Sequence, residues 1–119
     1  MNKTIALVGR TNVGKSSIFN KLVKAKSSIV SNHEGLTRDM KTAELKHNNK
    51  TVQLVDTGGF YTSKEDDFEN LILIKAYEAI GTSDLILFIV DKKFGLSPFD
   101  KELANILRKS GKEVALVIN

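Results

Sequence analysis

Gly9-Arg10-Thr11-Asn12-Val13-Gly14-Lys15-Ser16 decides the reading of this chain. The stretch matches GxxxxGK[S/T] and lies between an apolar run, Thr4-Ile5-Ala6-Leu7-Val8, and a segment carrying Ile18, Phe19, Leu22 and Val23 at helical spacing. A strand, a glycine-punctuated loop and a helix in that order let backbone N–H groups curl around a phosphate at the positive end of the helix. Gly9 and Gly14 permit the curl. Lys15 is expected to reach β- and γ-phosphates as a point charge, and the Ser16 hydroxyl to ligate Mg²⁺. The backbone N–H of Ser17 is expected to face the α-phosphate.

Outward from the loop, β-branched runs alternate with amphipathic stretches, the pattern of a sheet with helices on both faces. The run before Gly9 reads as a strand buried on both sides. Ser27 to Asp39 is polar and aperiodic, so it is expected to be a long surface loop. Lys41–His47 and Thr51–Val55 read as two strands joined across Asn48-Asn49-Lys50 at hairpin spacing. A second polar loop is expected over Gly58 to Asp67. The next helix is expected to bury Leu73, Ala76, Tyr77 and Ile80 and to end near Gly81.

Leu85–Val90 is the most apolar run and is placed at the sheet centre. Ser97-Pro98 opens another helix, with Ser97 as cap, Asp100 near the positive end, and Phe99, Leu103, Ile106 and Leu107 facing inward. Val114–Ile118 reads as a last strand. The expected fold is therefore α/β: a P-loop NTPase domain with a mostly parallel sheet and one antiparallel hairpin strand.

Composition agrees with a single globular domain. Of 119 residues, 41% are hydrophobic and 27% charged, which sets the chain apart from disordered or fibrous sequences. With no cysteine, disulfides and thiolate metal sites are excluded. The apolar runs are too short for a bilayer span or a signal peptide, so no membrane is expected and a cytoplasmic location is. The net charge of +4 comes from scattered lysines and reads as solvated surface, a weak warrant for nucleic-acid binding.

A second motif reinforces the first. Val52–Val55 runs into Asp56-Thr57-Gly58-Gly59, which puts a carboxylate at a strand tip where it would anchor Mg²⁺. Gly59 would give its N–H to the γ-phosphate. Thr37, in Gly35-Leu36-Thr37-Arg38-Asp39 between the two phosphate motifs, is expected to complete the Mg²⁺ shell. Arg38 reads as structural or solvated more readily than as an arginine finger.

GRTNVGKSS, GLTRD and DTGG, in this order, resemble the Der (EngA) family of bacterial ribosome-assembly GTPases, over essentially the whole chain. DTGG separates it from the related Era and MnmE families, which tend to read DTPG and DTAG. The resemblance implies GTP and GDP as ligands, with residues 9–17, Asp56, Gly59 and Asn119 in the nucleotide site. Asn119 stands at the first position of the family's NKxD base-recognition motif. Residues 1–119 are then expected to be a first G domain that stops inside that motif, before the last strand and helix. A second G domain, a KH-like domain and contact with the large ribosomal subunit or its rRNA are implied for the whole protein. The chain departs from the family at Thr11 and Glu34, where proline is usual.

Hydrolysis has its own signature. Many GTPases place glutamine after the DxxG glycine to orient the attacking water, and this chain has Phe60 there. The resemblance implies another device, K⁺ held by Asn12 beside the phosphates, giving K⁺-stimulated turnover with Lys15 and Thr37. Two alternatives stand beside the GTPase: a nucleotide-responsive binding module without turnover, and an ATP-using P-loop enzyme, which DTGG and Asn119 disfavour.

Overall fold

The computed structural model describes residues 3–10, 14–25, 30–33, 40–58 and 66–119. Its elements run β1 (Lys3–Val8), α1 (Lys15–Ala25), β2 (Val30–His33), β3 (Met40–His47), β4 (Lys50–Asp56), α2 (Asp66–Thr82), β5 (Leu85–Val90), α3 (Pro98–Lys109) and β6 (Glu113–Ile118). They form one six-stranded sheet in the order β2-β3-β4-β1-β5-β6. β1 pairs in parallel with β4 and β5, β5 pairs in parallel with β6, and β3 pairs antiparallel with both β2 and β4. The predicted architecture, a mostly parallel sheet with one reversed strand, is the observed one.

Alternation along β1 divides the core. Ala6 and Val8 face one side, where they join Ile86, Phe88 and Val90 of β5 under α2 and α3. Leu7 faces the other, with Leu54, Ala43 and Ile89 packed around Phe19 of α1. That is the period-2 rule of a strand covered on both faces. Phe19 is fully buried, and a side chain of that size contributes about 1.5–3 kcal/mol by leaving water. Ile18, Leu22 and Val23 pack around it as their spacing predicts.

Between β3 and β4, Asn48 and Asn49 take φ values of 49° and 63°. Two successive left-handed residues make the tight hairpin that matches strand twist, and asparagine tolerates that region better than most residues.

Three expectations are corrected. The stretch from Ser27 to Asp39 is not all loop, because Val30–His33 forms β2 against β3. Val30 is followed by three polar residues with no alternation, and what makes the segment a strand is the edge that β3 offers. In α2, Tyr77 is 58% exposed, and the face on the sheet is Ile72, Ala76 and Ala79, with Leu73 and Ile80 at its margins. The segment Leu71-Ile72-Leu73-Ile74 offers two overlapping stripes, and the small Ala76 and Ala79 select the one that approaches the sheet closely. β5 is an inner strand, but the central pair is β4 and β1.

Candidate phosphate-binding site

The carboxyl ends of β1, β4 and β6 meet the N-terminus of α1 at one edge of the sheet, where open α/β folds bind ligands. Gly9 follows β1, Asp56 ends β4, Asn119 follows β6, and Lys15 opens α1. The first turn of α1 starts from Gly14, whose carbonyl accepts from the Ile18 N–H at 3.0 Å. Gly14 has φ +94°, a left-handed conformation that a side chain would strain. A Cβ added there would also collide with the side-chain amide of Asn119. The base-recognition candidate is thus packed against the phosphate loop, although the two lie at opposite ends of the sequence. Its backbone is tied in as well: the Asn119 N–H donates to the Val90 carbonyl at 2.9 Å and its carbonyl accepts from the Lys92 N–H at 2.8 Å.

Lys15 is 6% exposed. Its ammonium donates to the carbonyls of Gly9 at 2.6 Å and Arg10 at 2.7 Å. Burial pushes its pKa down from 10.5 to about 8; the Asp56 and Asp100 carboxylates pull it back up, and the Arg10 guanidinium pushes with burial. A cation held at the edge of its charged range is stabilised by any anion that comes beside it.

Asp56 is 1% exposed. Its Oδ1 accepts the Gly58 N–H at 2.9 Å and its Oδ2 accepts a long bond from the Ser16 hydroxyl at 3.4 Å. A Cβ at Gly58 would stand 2.6 Å from Cε of Lys15 and 3.3 Å from Oδ1 of Asp56, so a side chain there would have to displace the arm of Lys15. Thr57 locks β4 to β1, its hydroxyl donating to the Leu7 carbonyl at 2.6 Å. Ser16 and Asp56 together present two hard oxygen donors beside a lysine. That set suits Mg²⁺, which takes one or two protein oxygens and fills its octahedron with phosphate and water. Among the described residues there is no cluster of three or more His, Cys, Asp or Glu side chains that would form an all-protein metal cage.

Of the predicted site residues, Gly9, Arg10, Gly14, Lys15, Ser16, Ser17, Asp56 and Asn119 are brought to this edge or its flanking loop. Thr11, Asn12, Val13, Thr37 and Gly59 lie outside the described residues, as do Glu34, Arg38 and Phe60. Sequence reasoning missed one participant, Asp100. It was read only as an acidic residue near the positive end of α3, yet its Oδ2 also accepts from Nε of Arg10 at 3.0 Å. No local pattern signals a pair formed across ninety positions. A separate cavity of about 530 Å³, between α2 and the β1–β4 face, is lined by Thr4, Gln53, Val55, Glu78 and Ser83 and holds none of the predicted phosphate ligands.

The family model described as 50S ribosome-binding GTPase matches residues 4–119. The chain belongs to the 50S ribosome-binding GTPase family. Within that family its similarity is to GTPase Der, as the motifs suggested. It is 44% identical over 116 residues to GTPase Der of Thermosipho africanus, covering 98% of this chain and 26% of that protein. It is 47% identical over 115 residues to GTPase Der of a Thermoanaerobacter species, covering 97% and 26%. The chain therefore spans about a quarter of the length of these curated relatives.

Solved structures agree on the fold of this GTPase family member. Aquifex aeolicus Era bound to GDP·AlF4⁻ superposes with a TM-score of 0.72 at 32% identity, covering 99% of this chain and 40% of that one. The G domain of the T. maritima FeoB iron transporter gives a TM-score of 0.68 at 26% identity, covering 99% and 72%. No helix among the described residues is long and apolar enough to cross a membrane.

Proposed function

We propose that this chain binds GTP and GDP with Mg²⁺ at the edge formed by β1, β4, β6 and α1, and that it hydrolyses GTP as a nucleotide-dependent switch in large ribosomal subunit assembly. The observation that carries the proposal is the buried Lys15 ammonium beside the Ser16–Asp56 pair at a helix N-terminus that bears no acidic residue in its first turn. Lys15, held by the carbonyls of Gly9 and Arg10, would turn its remaining N–H toward the β- and γ-phosphate oxygens. Ser16 and Asp56 would hold the metal, which when bound neutralises phosphate charge, and Asp56 would keep Gly58 and the chain beyond it in place through its Oδ1. Asn119, packed on Gly14, would present its amide to the guanine base. Thr37 and Gly59 are assigned to the metal and γ-phosphate from their sequence positions, and Asn12 to a stimulating K⁺ from the family resemblance.

The GTPase family and Der similarity support guanine over adenine, and the Era neighbour was solved with GDP·AlF4⁻. The ribosomal role rests on the family description, the cytoplasmic location on the short apolar runs, and the reading of residues 1–119 as the front of a first G domain with further domains beyond it on the Der resemblance. A second reading, binding without turnover, is favoured by Phe60, whose ring cannot orient a water.

Titration of the full chain with fluorescent GDP in Mg²⁺ tests the proposal. GDP and GTP should displace the probe while ADP fails at a concentration about a hundredfold higher, the discrimination expected of a site that hydrogen-bonds its base. Equal displacement by ADP would overturn the guanine assignment. Turnover of GTP in KCl against matched NaCl decides the rest: faster release of phosphate in KCl supports K⁺-stimulated hydrolysis, equal rates remove K⁺, and none in either leaves the binding module.

A further inference from the structure

Arg10 occupies the second position of the phosphate loop, but its side chain leaves that loop. Its Nε donates to Oδ2 of Asp100 at 3.0 Å, at the third position of α3. The same Oδ2 accepts the Ser97 N–H at 2.9 Å, while the Ser97 hydroxyl accepts the Asp100 N–H at 3.1 Å. Ser97 and Asp100 thus form a complete capping box. A capping box needs neither burial nor a cation. Here the Asp100 side chain is fully buried, and among the described residues its Oδ1 has no hydrogen-bond partner. A half-satisfied buried carboxylate is costly unless a charge compensates it, and Arg10 is the compensating charge.

The pair connects directly to the phosphate lysine. The backbone carbonyl of Arg10 accepts from the Lys15 ammonium at 2.7 Å. Anchoring the Arg10 side chain on α3 therefore fixes where its carbonyl points, and that carbonyl helps fix Lys15. We infer that Arg10 and Asp100 form a positioning pair, which ties the phosphate loop to the N-terminus of α3 and sets the loop and Lys15 for the β-phosphate. The inference rests on the nucleotide-binding reading above. Neither side chain needs to touch the ligand. Binding energy is gained because Arg10 and Lys15 are held in place before the ligand arrives.

Comparing GDP with GMP isolates this role, because only GDP carries the β-phosphate that Lys15 would meet. In the full chain with Mg²⁺, Arg10→Ala and Asp100→Asn should each weaken GDP about five- to tenfold, with GMP changed less than about twofold, the range of coupling between contacting residues. Asn at position 100 keeps an acceptor for the Ser97 N–H, so the α3 cap survives. The double variant should bind GDP no more weakly than Arg10→Ala alone, and Arg10→Lys should restore most of the loss. Thermal midpoints of all variants identify any that fail to fold, and Arg10→Lys and Asp100→Asn keep the comparison open if Arg10→Ala does. A lowered midpoint with an unchanged GDP-to-GMP ratio would overturn the inference, leaving the pair purely structural. Equal weakening of both nucleotides, or additive losses in the double variant, would overturn it as well. If the unaltered chain binds no guanosine nucleotide, the functional reading falls and this inference with it.

Discussion

Two helices in this molecule begin in opposite ways. α3 starts from Ser97, whose hydroxyl accepts the Asp100 N–H, with proline next and Asp100 in the first turn. Its positive end is satisfied by its own side chains. α1 starts from Gly14, which has no side chain to cap with, and its first residue is the cation Lys15. Orphan N–H groups, the positive end of the helix dipole and a buried ammonium are gathered at one point. The first arrangement makes a stable helix, and the second leaves positive potential directed at an anion. One sheet edge thus carries both, joined by the Arg10–Asp100 pair.

Lys15→Met is the strongest way to break the contrast. Truncating a buried charge that pairs with a ligand costs about 2–5 kcal/mol in binding, so GDP affinity should fall about a hundredfold or more. Stability should fall much less, because the lost carbonyl bonds and the lost charge facing Asp56 are offset by relief of the burial cost of the ammonium, and methionine fills similar space. Fluorescent GDP titration and thermal melts on the same sample read both effects. A loss of stability larger than that of an α3 cap variant would mean that Lys15 serves the fold rather than the ligand.

Ser97→Ala attacks the other helix. Removal of an N-cap hydroxyl costs about 0.5–2 kcal/mol. The thermal midpoint should drop by a few degrees, at roughly 4 °C per kcal/mol for a domain of this size. GDP affinity measured well below the midpoint should change less than about twofold, because the Ser97 N–H and Arg10 still hold Asp100. A large loss of GDP binding would show that the α3 cap and the phosphate loop are one unit rather than two joined ones.

How far these starts could be read in advance follows from what each depends on. The α3 cap was legible because Ser97, Pro98 and Asp100 act within one turn. The phosphate loop was legible because eight consecutive residues carry the motif, flanked by a strand and a helix. The Asn48-Asn49 turn was legible for the same reason. What escaped was set by distant partners. Val30–His33 is a strand only because β3 offers an edge, and Tyr77 faces out because Ala76 and Ala79 fit the sheet better. Asp100 showed its local role and hid its long-range one. The packing of Asn119 on Gly14 is likewise a product of the closed sheet: β6 must pair with β5 before its terminal residue reaches the loop that follows β1.

The mildest substitution converts one helix start toward the other. Ser17 is exposed and occupies in α1 the third helical position that Asp100 occupies in α3. Ser17→Asp would give α1 the negative charge it lacks at its positive end. In ligand-free protein the new carboxylate should raise stability by about 0.3–1 kcal/mol, an effect that falls with added salt. It should also weaken GDP modestly, because an internal anion would then compete with the β-phosphate for the same N–H groups and dipole. The two effects must have opposite signs if α1 gives up self-capping for the sake of a ligand. A gain in stability without any loss of GDP affinity would show that the bare start of α1 has no functional meaning and that the anion is held by Lys15 and the loop alone.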